Sequence, residues 1–136
     1  MNRNEKMTFD SFKGNNPTEE LLKYIFEEIM PKEGYTLRTS QLDLAKKILS
    51  SLIHGKTALC EAEVGTGKTH AYLIAAIVYR LYLKDIYSKS NITIEEKYKK
   101  PITIATASIR LQKSIVKTIF PLFLLCFSNT VLLKNR

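Results

Sequence analysis

Ala62-Glu63-Val64-Gly65-Thr66-Gly67-Lys68-Thr69, AEVGTGKT, is the stretch from which the fold of this chain is read. It follows the phosphate-binding template G-x-x-x-x-G-K-[ST], with alanine in place of the first glycine. The preceding residues Thr57 to Ala62, TALCEA, read as a short strand, and a helix is expected from about Lys68. Between the two the chain must turn sharply, so Gly65 and Gly67 are expected at positive φ, where the lack of a Cβ removes the steric cost. Successive backbone N–H groups would then converge on an anion, helped by the positive end of the helix. The Lys68 ammonium is placed to reach β- and γ-phosphates, and the Thr69 hydroxyl to ligate a bridging Mg²⁺. The alternative is a glycine-rich turn ahead of an ordinary helix. Glu63 is acceptable beside a polyphosphate when its side chain points away from it.

Outward from this loop, the chain alternates. Asn16-Pro17 opens a helix carrying Leu21, Leu22, Ile25, Phe26 and Ile29 on one face, ended by Pro31. Ser40 is expected to cap a second helix with a stripe of Leu42, Ala45, Ile48, Leu49 and Leu52, stopped by Gly55. Gln41 lies in the first turn of that helix, and a glutamine amide can both donate and accept against an adenine edge. The helix after the loop, His70 to about Leu83, is apolar nearly all round and reads as buried on most sides. Lys84 to Lys100 is a polar connection with a Thr93-x-x-Glu96 capping box. Ile102 to Ala107, ITIATA, is a second β-branched strand. Ser108 caps a last helix to Phe120, with Ile109, Leu111, Ile115, Val116 and Ile119 inward and Arg110, Lys113 and Lys117 outward. Strand, loop, helix, connection, strand and helix together predict an α/β fold with a parallel sheet.

Composition narrows the function classes. With 136 residues the chain holds one domain at most, and residues 1 to 15 read as a polar, loosely ordered lead. There is no N-terminal apolar run and no stretch of membrane-spanning length, which predicts a cytoplasmic protein. Cys60 and Cys126 lie far apart and read as reduced, buried thiols. The net charge is +8, and residues 97 to 136 hold eight Lys/Arg and no carboxylate. Such a surface attracts a polyanion such as DNA or RNA, unless acidic partners lie further along a longer chain.

Three stretches in this order resemble the amino-terminal part of superfamily 2 DNA helicases of the DinG/XPD group: RTSQ at Arg38 to Gln41, EAEVGTGKTHAYL at Glu61 to Leu73, and TASIRLQ at Thr106 to Gln112. The resemblance covers roughly residues 18 to 120. It implies a partial RecA-like, three-layer P-loop NTPase fold over residues 16 to 136, cut off after motif Ia. It implies ATP and Mg²⁺ as ligands, with Arg38 and Gln41 at the adenine and Ala62, Gly65, Thr66, Gly67, Lys68 and Thr69 at the phosphates. Lys68 and Thr69 would serve the chemistry, and Thr106 and Gln112 would touch single-stranded DNA. Ala107 and Ser108 depart from the family's DNA-touching motif, and Glu63 and Val64 from its loop.

No iron–sulfur cluster is expected with two cysteines. The family's acid box, which holds the metal and orients water, would fall after Glu96, where this sequence has no Asp or Glu. The expectation is therefore an ATP-binding part of a DNA helicase, inactive by itself, from a truncated or split reading frame. In a RecA-like sheet the two strands read here are not neighbours, so both would lack ladder partners. The other readings are a different P-loop NTPase such as a small kinase, and a non-enzymatic basic module that binds nucleic acid or a partner protein.

Overall fold

A computed structural model describes residues 12, 14–89, 102–119 and 121. Asn16 opens the first helix, α1 (Pro17–Tyr24): its side-chain oxygen accepts from the Glu19 N–H at 3.3 Å and from the Thr18 hydroxyl at 2.8 Å. Pro17 sits where no N–H is needed, and Glu19 and Glu20 face the positive end of the helix dipole. The helix then widens into a π-helical segment, Ile25–Ile29, before a short final turn, α2 (Met30–Lys32). The Met30 N–H donates to the Ile25 carbonyl, five residues back. This wider turn makes room ahead of Pro31, which lacks an N–H and crowds the carbonyl four residues earlier. Pro31 therefore lies inside the last turn, and the helix ends at Lys32, two residues beyond the end at about Met30 that the sequence predicts.

Helix α3 (Thr39–His54) starts with Arg38 at the cap position, in extended geometry and without a side-chain cap; the expected cap, Ser40, lies inside the first turn. Gly55 ends it at φ +63°, with Lys56 N–H bonded to the Ser51 carbonyl at 2.9 Å and Gly55 N–H to that of Leu52 at 3.4 Å. This double closure satisfies carbonyls that a helix end otherwise leaves open. Helix α4 (Lys68–Lys89) runs six residues beyond the predicted end at Leu83, its last turn held by a 3.0 Å ion pair between Asp85 and Lys89. The predicted polar connection from Lys84 is thus helical at its start; Thr93, Glu96 and Cys126 lie outside the described residues. Helix α5 (Ile109–Ser114) is capped as read, the Ser108 hydroxyl accepting from Leu111 N–H at 3.2 Å, and passes into a second π-helical segment, Ile115–Ile119.

The core is helix on helix. Leu21, Leu22, Ile25, Phe26, Ile29 and Met30 from the first helical run meet Leu42, Ala45 and Leu49 of α3 and Ala71, Leu73, Ile74, Ala75, Val78 and Leu81 of α4. Ala71, Ile74, Ala75 and Val78 form one fully buried stripe, Leu73 is buried on another side, and no residue from Thr69 to Leu83 is exposed, so α4 is covered on most sides as its composition predicts. Lys46 of α3 also pairs with Glu19 of α1 at 3.0 Å. Ahead of the first helix, the Phe12 ring meets Tyr24 edge-on at 6.2 Å.

The α/β expectation is corrected here. Among the described residues there is no strand and no sheet, so the three-layer RecA-like architecture is absent from them. Thr57 to Ala62 and Ile102 to Ala107 carry no regular structure. A strand exists only through ladder bonds to a neighbour, and β-branched residues cannot supply one by themselves. Neither segment finds a partner here, so their apolar side chains have no facing layer: Leu59 is fully exposed and Ile104 is 40% exposed. Cys60, read as a core thiol, is exposed for the same reason. In the last helical run only part of the expected inward face packs. Ile115 and Ile119 lie against the core, whereas Ile109 and Val116 are about two-thirds exposed.

These burials separate two substitutions that periodicity alone ranks together. Ile74→Ala should lower unfolding free energy by about 2–5 kcal/mol, as fully buried aliphatic truncations do. Val116→Ala should stay within about 0.5 kcal/mol. Urea melts followed by circular dichroism at 222 nm decide; equal losses would place Val116 in the core.

Candidate phosphate-binding site

The loop from Ala62 to Gly67 enters α4 in the backbone geometry its glycines were expected to supply. Gly65 stands at φ +84° and Gly67 at φ +81°, and the helix begins at Lys68 with Thr69 second. A tight turn precedes Gly67, the Thr66 hydroxyl donating to the Glu63 carbonyl at 2.9 Å. The Thr66 N–H approaches the same oxygen at 3.4 Å. Glu63 and Val64 are exposed, as is Lys68, while Thr69 is partly buried.

The adenine-contact candidates take different positions. Gln41 is buried, and its Nε2 donates to the Gly67 carbonyl at 2.9 Å. Its amide is thus engaged with the loop backbone, where the sequence placed it at a base edge. Arg38 is exposed, and its carbonyl accepts from the N–H groups of Gln41 at 3.0 Å and Leu42 at 3.2 Å. Gln41 belongs to the first turn of α3 and Gly67 adjoins the first turn of α4, so the N-terminal ends of both helices converge at the loop. Each carries roughly half a positive charge in its unsatisfied N–H groups.

A cavity of about 440 Å³ opens beside the loop, lined by Asp43, Lys47, Glu61, Ala62, Glu63 and Thr66 among others. Three carboxylates against one ammonium disfavour a phosphate in that cavity, and Lys68 is not among the residues that line it. A larger cavity, about 530 Å³, lies away from the loop between α1, α3 and α4, near Asn16, Lys46 and Tyr82. Among the described residues no group of three or more His, Cys, Asp or Glu is placed to hold a metal ion.

Thr106 and Gln112, read as DNA contacts, are brought together. The Gln112 Nε2 donates to the Thr106 carbonyl at 2.9 Å, and the Thr106 hydroxyl accepts from Ser108 N–H at 3.2 Å. Both bonds brace the start of α5 and lie on an exposed segment. Sequence reasoning missed the Tyr35–His70 ring pair, 5.2 Å between centroids at 60°, whose histidine follows Thr69 in the first turn of α4. No periodicity links positions 35 residues apart, so only the fold reveals it. Burial holds the His70 imidazole below its ordinary pKa.

No family model matches the chain, and no solved structure matches it. A 60-residue stretch, 44% of the chain, is 42% identical to the protein named 3'-5' exonuclease DinG in Staphylococcus aureus strains USA300, NCTC 8325 / PS 47 and bovine RF122 / ET3-1. That match spans 7% of the length of those relatives. The similarity to DinG is therefore partial. No described helix is long and apolar enough to cross a membrane.

Two outcomes follow from this geometry. A Cβ on Gly67 would run into the Gln41 amide, whereas Gly34, also at positive φ (+86°), has open space around it. Gly67→Ala should therefore cost more than Gly34→Ala, by about 1 kcal/mol or more beyond a shared backbone strain of about 1 kcal/mol, in urea melts. For His70, the lowered pKa means the unfolded chain binds the proton first. Its contribution to stability is full above pH ~6.5, falls as pH drops through that value, and levels off below the folded pKa. Thermal melts between about pH 7.5 and 5 check this, and His70→Gln should flatten that part of the profile.

Proposed function

We propose that this chain is an ATP-binding segment of an ATP-dependent DNA helicase of the DinG/XPD type, binding Mg²⁺ with the nucleotide. The observation that carries the reading is the pair of left-handed glycines, Gly65 and Gly67, set immediately ahead of a helix whose first residues are Lys68 and Thr69. In this reading the N–H groups at the start of α4 hold the polyphosphate, the Lys68 ammonium closes over it, and Thr69 offers a hydroxyl to Mg²⁺. The convergent ends of α3 and α4 add to the positive potential, and the carboxylates of Asp43, Glu61 and Glu63 line a cavity that does not include Lys68. The partial similarity to the protein named 3'-5' exonuclease DinG supports a DinG-like relation; a cytoplasmic setting and single-stranded DNA as the partner of the whole protein are part of this proposal. Hydrolysis and unwinding belong, in this reading, to parts that supply the acid box; the 136-residue chain binds nucleotide without turning it over.

Isothermal titration calorimetry with MgATP tests the reading. Lys68→Ala should weaken binding by tenfold or more, since one charge-assisted hydrogen bond is worth about 1.5–3 kcal/mol. No binding by the parent chain, or binding indifferent to Lys68, overturns it. Arg110, Lys113 and Lys117 are exposed on the last helical run and favour the second reading, a basic nucleic-acid-binding surface. That reading predicts DNA affinity that falls steeply with salt and is untouched by Lys68→Ala.

A further inference from the structure

We infer that Gln41 is a positioning residue for the phosphate loop: by tethering the Gly67 carbonyl it fixes the Gly67–Lys68 peptide and so aims the Lys68 N–H at the bound phosphates. The inference deepens the nucleotide-binding reading above and rests on it. The Gln41 side chain is 5% exposed and its Nε2 lies 2.9 Å from the Gly67 oxygen. The same oxygen accepts from the Ala71 N–H at 3.2 Å, the first bond of α4. Two donors on one carbonyl hold its direction. Because a peptide group is planar and trans, the Lys68 N–H must then point the opposite way, out of the helix end. That is the side on which an anion meets the open amides of α4.

Gly67 is where such a tether matters. At φ +81° it occupies a region that glycine enters and leaves at little cost, so an untethered peptide here samples several orientations. The Gln41 amide also occupies the space a Cβ at position 67 would need. The glycine and the glutamine therefore fit each other, and the pair joins the first turn of α3 to the entry of α4. A base-reading glutamine acts through the nucleobase; a loop-positioning glutamine acts on any ligand that presents phosphates, whether or not it carries a base.

This difference is the test. Affinities of the folded chain for MgATP and for magnesium tripolyphosphate, which has no base, are measured by titration calorimetry before and after Gln41→Met. Methionine keeps length and bulk but donates nothing, and circular dichroism at 222 nm identifies folded samples. The expected result is an equal loss on both ligands, about three- to tenfold, the worth of one net hydrogen bond. Weakened ATP with unchanged tripolyphosphate, or no change in either, overturns the inference. A parent chain that binds neither ligand removes the nucleotide reading itself, and this one with it. Gln41→Glu is the second variant. Its carboxyl donates to the Gly67 carbonyl only when protonated, so its deficit on tripolyphosphate relative to the parent should shrink as pH falls from about 7.5 to about 5. A deficit constant across that range also overturns the tether.

Discussion

Packing of α4 across α1 and α3 is the constraint on which the remaining structure depends. Its seam is built from Ala71, Ile74, Ala75 and Val78, with Ala45 of α3 in the same cluster, all with no exposed surface. Small side chains at a helix contact let the backbones approach, while Leu22, Ile25, Phe26 and Ile74 fill the space beside them. Each large aliphatic buried in this way contributes about 1.5–3 kcal/mol relative to exposure. Were α4 to shift against α3 by even one residue, the stripe would turn out of register and Gln41 would no longer reach Gly67.

That register gives the loop its shape. The chain between Gly55 and Lys68 has no sheet to hold it, and its residues 56 to 61 are exposed. It is fixed at its two ends, by the left-handed close of α3 at Gly55 and by the Gln41–Gly67 bond at the entry to α4. In between, the Thr66–Glu63 turn brings Gly65 and Gly67 to their positive φ values. Asp43, Glu61 and Glu63 line an acidic cavity beside the loop, and Lys68 is not among its lining residues.

What the sequence determined by itself is local. Asn16-Pro17 as a helix start, Gly55 as a stop, Ser108 as a cap, and Gly65 and Gly67 as left-handed residues all follow from steric and hydrogen-bonding rules acting over four or five neighbouring residues. The faces of the first helix and α3 were legible as well, because a 3.6-residue period marks a buried stripe before the partner is known. What only the tertiary structure decided is whatever needs a second segment. TALCEA and ITIATA have the composition of strands and remain irregular, since a ladder requires a neighbour. Cys60, Ile109 and Val116 are exposed, since an apolar side chain is buried only where another layer faces it. Gln41 lies on the Gly67 carbonyl, since a side chain's hydrogen-bond partner 26 residues away is chosen by how two helices pack and not by its own place in the chain.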